Sequence, residues 1–219
     1  MSMVLLGLVV LVIASSAQAG VITDFESGWV DGSDPDVKVD YWTTTTERDV
    51  KSNRQLTQTF SIGETFILDK FYVGVNKLDA GETFDLRIFE VSDPESTSLS
   101  VTGSDLVNIT GLSTPDTVSS GTGAASTDVI GVEFDLTGTD EITLQSGMFY
   151  GIQLNRTDSD ECFAWAWNGS DGFSGGAAYQ DGSKVVNPDN DLAFALVAPE
   201  PATMGLLAIG GLAMLRRRK

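Results

Sequence analysis

Three patterns in this sequence hold residue types that could do chemistry. The first is Glu133-Phe134-Asp135, two carboxylates two positions apart. On a strand, residues i and i+2 share a face, so such a pair could act as acid and nucleophile on a glycosidic bond. A complete row would continue to a third carboxylate at 137, where Thr137 stands. The row is incomplete, and no catalytic residue is assigned from it. The second pattern is Asp31-Gly32-Ser33-Asp34-Pro35-Asp36. Calcium takes six to eight oxygen ligands from acidic loops of this kind. Aspartates in turns more commonly just cap and solvate the turn, so Asp31, Asp34 and Asp36 are Ca²⁺ candidates against that plainer reading. The third is the alternation Phe163, Trp165, Trp167, with Cys162, Ala164 and Ala166 on the other face. Flat exposed rings stack on sugars; buried ones fill a core. With alanines opposite, the bulky face is expected inward. Trp167, beside Asn168-Gly169-Ser170-Asp171-Gly172, is the ring nearest a rim, and Trp165 and Trp167 are the sugar-binding candidates.

Other chemistry is excluded outright. The chain has no histidine, so His-based triads and His zinc sites are impossible. Cys162 is the single cysteine, which rules out an intrachain disulfide. No cofactor is required by anything present, Ca²⁺ being the one candidate. The chain is expected not to be an enzyme.

The elements that must position these residues are strands. Short segments rich in Val, Ile, Phe, Tyr and Thr alternate with Gly, Asp, Ser and Asn turns. The clearest is Thr83 to Val91, where Phe84, Leu86 and Ile88 share one face and Asp85, Arg87 and Phe89 the other. Phe66 to Val75 reads as one long apolar strand, and Met148 to Leu154 as a buried one. Ser92 to Asp128 is Ser/Thr/Gly-rich and reads as a weak strand near Asp105 to Ile109 followed by a long mobile loop. Ten to twelve strands in one domain predict an all-β fold, a single jelly-roll-like β-sandwich over residues 20–198.

The two ends differ from this body. Met3 to Ile13 is an apolar core followed by Ala17-Gln18-Ala19, the pattern of a signal peptide over residues 1–19. At the other end stand Pro199-Glu200-Pro201, then the 14-residue uncharged run ATMGLLAIGGLAML, then Arg216-Arg217-Arg218-Lys219. The run is shorter than the roughly 20 residues of a stable helical span. The basic block is the kind that stays on the cytoplasmic face. A short, marginal transmembrane helix is expected here. Four of the 13 basic residues and one of the 31 acidic ones lie in this tail. The body is left with 9 against 30, a net charge of −21. Such a surface repels nucleic acid and anionic lipid.

The order of PEP, apolar run and terminal cations over residues 199–219 resembles the PEP-CTERM sorting signal. That resemblance implies export through the Sec machinery, a transient stay in the inner membrane and processing by an exosortase. It also implies residence in the cell envelope, at the cell surface or in an extracellular matrix. A looser resemblance covers the body. Gln58-Thr59-Phe60, Phe66 to Phe71, Asp85-Leu86-Arg87-Ile88-Phe89-Glu90, Gly175 to Tyr179 and Asp191 to Phe194 are similar to lectin-like extracellular sandwiches, which implies polysaccharide as a partner. The resulting expectation is a structural or adhesive surface protein. The alternatives are a carbohydrate-binding module and, further off, a carboxylate-based glycoside hydrolase.

Overall fold

The computed structural model describes residues 21–22, 36–41, 46–50, 54–78, 82–114, 130–136, 141–156, 163–168, 173–185 and 191–199. Among the described residues every regular element is a strand, and no helix is long and apolar enough to cross a membrane. The expected signal peptide and C-terminal transmembrane helix lie outside the described residues.

The strands are β1 (Val21–Ile22), β2 (Val37–Tyr41), β3 (Thr46–Val50), β4 (Leu56–Ser61), β5 (Phe66–Leu68), β6 (Lys70–Leu78), β7 (Thr83–Val91) and β8 (Val101–Ser113). They continue as β9 (Ile130–Asp135), β10 (Ile142–Leu144), β11 (Phe149–Asn155), β12 (Phe163–Asn168), β13 (Ala178–Gln180), β14 (Ser183–Lys184), β15 (Asp191–Leu192) and β16 (Phe194–Val197). One sheet has six strands in the order β14-β13-β4-β11-β7-β8. A second has eight: β1-β9-β6-β12-β15 form its path, β16 lies between β6 and β2, and β3 pairs β12. β5 and β10 make a small two-stranded piece.

Alternation explains which faces are buried. On β7, Phe84, Leu86 and Ile88 point into the core, as their spacing requires. Their neighbours on β11, Leu154 and Ile152, continue the same face. The two larger sheets face one another across this core. Phe60 of β4 meets Phe194 of β16 with ring centroids 5.6 Å apart. Phe84 of β7 meets Phe134 of β9 edge to face at 6.1 Å, and Phe134 stacks on Phe71 of β6 at 4.4 Å. Offset and edge-on ring pairs of this kind add to the burial of their large apolar area.

Two expectations are corrected. Phe66 to Val75 is not one strand: it breaks at Asp69 into β5 and β6, which join different sheets. The weak strand expected near Asp105 to Ile109 is far longer than that: residues 101–113 form β8, the longest strand described. β8 is an edge strand with few buried positions, so its sequence shows no apolar period. Its register against β7 shifts twice, near Gly111 and Gly103, both at positive φ as in bulges.

The segment before β8 has a structural role of its own. Residues 92–100 leave β7 and cross the outer face of the six-stranded sheet to β14. The Thr59 hydroxyl donates to the Pro94 carbonyl at 2.5 Å and the Tyr179 hydroxyl to the Ser96 carbonyl at 2.6 Å. At the far end, Leu99 N–H donates to Gly182 O at 2.8 Å and Lys184 N–H to Thr97 O at 3.0 Å. On this outer face Thr57, Thr59, Phe89 and Tyr179 are buried, and the Arg87 guanidinium lies over the Phe89 ring. The sheet is therefore covered on both sides.

Candidate functional site: the C-terminal junction

β16 is the last strand described and is held on both edges. On β6 its partners are Val73, Tyr72, Phe71 and Lys70; on β2 they run from Tyr41 to Val37. Phe194 and Leu196 point into the core and are fully buried. The attachment reaches the very end. Asp69 N–H donates to Val197 O at 3.2 Å, and Ala198 N–H donates to Asp36 O at 2.9 Å. Ala198 is only 8 % exposed and belongs to the core. Pro199, partly buried, is the last described residue. A proline carries no N–H, so the ladder cannot continue through it.

The surroundings of this exit are acidic. Burial raises the Asp69 carboxyl above its ordinary pKa; nearby Lys70 opposes this, while Asp135, Glu141 and Glu133 add to it. On the outer face of β9, Glu133 accepts from the Lys70 ammonium at 3.3 Å and from the Tyr72 hydroxyl. Sequence reasoning singled out Glu133 but missed these partners. The signal was available: Lys70 and Tyr72 are two apart on a strand, so they share a face.

The other candidates fall as follows. Trp165 is 0 % exposed, and its indole N–H donates to the Ala193 carbonyl at 2.7 Å. No ring face is left for a sugar, which corrects Trp165 as a stacking residue; it fills the core, as the inward bulky face predicts. Trp167, on the same face, is only partly buried and packs against the core's edge. Tyr41 and Phe173 are partly buried too, 6.1 Å apart by ring centroids, and Phe173 meets Phe194 edge to face at 5.2 Å. Of the three Ca²⁺ candidates only Asp36 is described, and its backbone carbonyl takes the Ala198 N–H. Asp31 and Asp34 lie outside the described residues, as do Glu200, Pro201 and the basic block Arg216, Arg217, Arg218 and Lys219. Among the described residues no group of three or more His, Cys, Asp or Glu could hold a metal ion.

A polar pair inside the core was not foreseen. Gln58 of β4 and Asp191 of β15, both buried, join the two sheets: the Gln58 amide N–H donates to Asp191 Oδ1 at 3.2 Å. Asp191 Oδ2 accepts from Phe173 N–H at 2.9 Å, and Gln58 Oε1 accepts from Leu192 N–H at 2.7 Å. Gln58 sits on an inward strand position otherwise apolar, which is the one sequence clue to it.

Comparison with known families places a PEP-CTERM protein-sorting motif at residues 197–219. The motif begins two residues before the PEP triplet, inside β16. It marks this chain as carrying a C-terminal sorting signal, which implies exosortase processing and export to the cell envelope or surface. No curated protein matches the chain, and no solved structure does.

Proposed function

We propose that the body is a non-catalytic structural or adhesive protein of the cell surface, associated with exopolysaccharide and delivered there by its C-terminal signal. The observation that carries this reading is the junction itself. A strongly acidic all-β body closes its last strand at the residue where the sorting motif starts. The described strands end at Val197, where the motif begins, which supports reading the tail as serving delivery.

The strand order supports a jelly-roll sandwich as the scaffold. Take β3, β4, β6, β7, β8, β9, β11 and β12 as eight strands in chain order. One sheet then runs first, eighth, third, sixth, and the other second, seventh, fourth, fifth. That is the nested Greek-key arrangement of a jelly roll. Glu133 engaged with Lys70 and Tyr72 favours a structural over a catalytic carboxylate. A carbohydrate-binding role has one specific support, the partly exposed Trp167 at the core's edge.

The test is to fractionate cells and assay the surface form against glycan and polysaccharide panels. Envelope or matrix localisation without turnover is expected. Glycan binding lost in Trp167→Ala would favour the carbohydrate-binding module. Release of reducing sugar abolished by Glu133→Gln would replace the reading with a hydrolase. Full-length chain in the cytosol would end it.

A further inference from the structure

Resting on the exopolysaccharide association proposed above, we infer that the outer face of the six-stranded sheet binds an uncharged polysaccharide chain, and that residues 92–100 are a lid which this chain displaces. The site is a row of side chains. Cross-strand register aligns Lys184 with Tyr179, Tyr179 with Thr57, Thr57 with Gln153, Gln153 with Arg87 and Arg87 with Asn108. Leu56, Ile152, Leu154, Leu86 and Ile88 beside them in sequence face the core, so the row faces away from it. Every member can hydrogen-bond through its side chain. Six strands spaced about 4.8 Å apart make the row about 24 Å long, room for several sugar units of a linear chain.

The row is open at one end and covered at the other. Asn108 on β8 is exposed and Arg87 is half-buried. The Arg87 guanidinium donates twice to Asp105, at 2.9 and 2.8 Å, and to Gln153 Oε1 at 3.0 Å. Gln153 in turn donates to the Thr57 hydroxyl at 3.0 Å. The Phe89 ring lies under Arg87 and beside Gly151, where a Cβ would meet it at 2.9 Å, and gives the row an apolar floor. Thr57, Gln153 and Tyr179 are buried although they face away from the core.

The lid over the covered end is attached in a way that a sugar can replace. Ser92 N–H donates to Ser100 O at 3.1 Å, which closes its neck. Apart from its backbone bonds to Gly182 and Lys184, it is held by the Pro94 and Ser96 carbonyls, which accept from the Thr59 and Tyr179 hydroxyls. Of its residues only Pro94 is buried. A cover with so little apolar burial opens at low cost, and its hydroxyl bonds are readily exchanged for others of the same kind. Pro94 offers Thr59 and Tyr179 a saturated ring with an oxygen acceptor beside it. A pyranose offers the same combination, with further hydroxyls for Gln153 and Asn108. Charge selects the class of chain. Arg87 is already matched by Asp105, the lid carries Asp93 and Glu95, and the protein as a whole stands at −18. An acidic polysaccharide is repelled by such a surface, whereas an uncharged one is not.

The experiment is calorimetric titration of the surface form with soluble uncharged glucan, mannan and galactan, and with a polyuronate. Two variants are compared with the natural chain and with Trp167→Ala. Ser98 of the lid and Ser183 of β14 form an isolated antiparallel bridge, and both are exposed. Ser98→Cys combined with Ser183→Cys places a disulfide across that bridge and holds the lid shut until it is reduced. Asn108→Ala trims the exposed end of the row without touching the lid. At least one uncharged polysaccharide is expected to bind the natural chain. The oxidised cysteine pair is expected to bind it roughly tenfold more weakly and to recover on reduction, because only the open fraction is competent. Asn108→Ala is expected to weaken binding about threefold, the loss of one hydrogen bond. Equal affinity of the oxidised and reduced pair overturns the inference, as does an unchanged Asn108→Ala or tighter binding of the polyuronate. If Trp167→Ala abolishes binding while the disulfide leaves it unaltered, the carbohydrate-binding reading stands and only this inference fails. If no polysaccharide binds, the exopolysaccharide association fails and takes this inference with it.

Discussion

Gln58 and Asp191 meet in the interior between the two sheets, amide to carboxylate at 3.2 Å, with Asp191 only 1 % exposed. A carboxylate this deep is held by the groups that donate to it, here the Gln58 side chain and the Phe173 N–H. It fixes the start of the segment leading into β13 and locks β15 against β4. Asp191→Ala removes the acceptor: the Gln58 amide keeps its bond to the Thr59 carbonyl at 3.0 Å but loses the one that ties the sheets together, and the partly buried Phe173 N–H loses this partner. The loss is expected to be about 1–3 kcal/mol, since a buried donor left without its acceptor costs more than the net worth of the bond. Urea unfolding should show a lower midpoint with an unchanged slope. A midpoint like that of the natural protein would mean the pair is dispensable.

Gly176 marks where β13 is pressed onto β4. A Cβ there would sit 1.9 Å from the Thr59 carbonyl oxygen, a backbone atom that cannot swing aside. Gly176→Ala is therefore expected to destabilise by about 3 kcal/mol or more, at the upper end of overpacking effects. Gly63→Ala is the control. A Cβ at that position meets nothing within 4 Å, and the change is expected to stay within about 0.5 kcal/mol. Thermal melts of the two variants side by side decide the matter; equal melting temperatures would refute the close-packing argument.

The parts of this fold legible in the sequence are those where burial is one-sided. β7 could be read residue by residue because period-two alternation follows directly from a core on one face, whereas β11, buried from Tyr150 to Leu154, was legible only as a buried strand as a whole. β8 could not, since an exposed edge strand imposes no apolar pattern. β3, with Glu47, Arg48 and Asp49 in five residues and β12 as its pairing strand, gave no strand signal either. Phe89 was correctly placed on the face opposite Leu86 and Ile88, yet it is buried. Nothing local announces that residues 92–100 cover that face, because the covering bonds run to Thr59 and Tyr179, far away in the chain. The sorting signal was legible because it is linear: its order of motif, apolar run and cations needs no fold to be recognised. Its abutment on β16 was not, since that depends on which strands flank Val197.

Tyr179 makes the covering segment sensitive to alkaline pH. Burial, then the charges of Asp93 and Glu95, push its phenol from the ordinary 10.0 up to about 12. The fold thus favours the neutral phenol. Its contribution is complete below pH 10 and is lost as pH rises through about 12, because the unfolded chain gives up the proton first. The expected loss is of order 1–3 kcal/mol across that interval. Phenolate absorbance should rise later than in the unfolded chain, and Tyr179→Phe should flatten the stability profile between pH 10 and 12. An equally steep profile in the variant would assign the dependence to other groups.

Asp69 gives the opposite opportunity, a change that strengthens the fold. Its backbone serves the junction, donating to Val197 and accepting from Leu136 N–H at 2.8 Å. Its carboxyl is the costly part: burial raises its pKa from 3.8, and Asp135, Glu141 and Glu133 raise it further against the pull of Lys70. For a carboxyl whose folded pKa lies above its unfolded one, stability is full below the unfolded value and falls as pH rises through the folded one. At neutral pH the Asp69 carboxyl therefore weakens the sheet end that anchors β16. Asp69→Asn keeps the backbone bonds and the side chain's shape while removing the charge. The variant is expected to unfold at higher denaturant than the natural protein at pH 7, and the gap should close below about pH 4, where the natural carboxyl is protonated in both states. If the variant were instead weaker at pH 7, attraction to Lys70 would outweigh burial and crowding, and the acidic exit would be a stabilising feature of the junction.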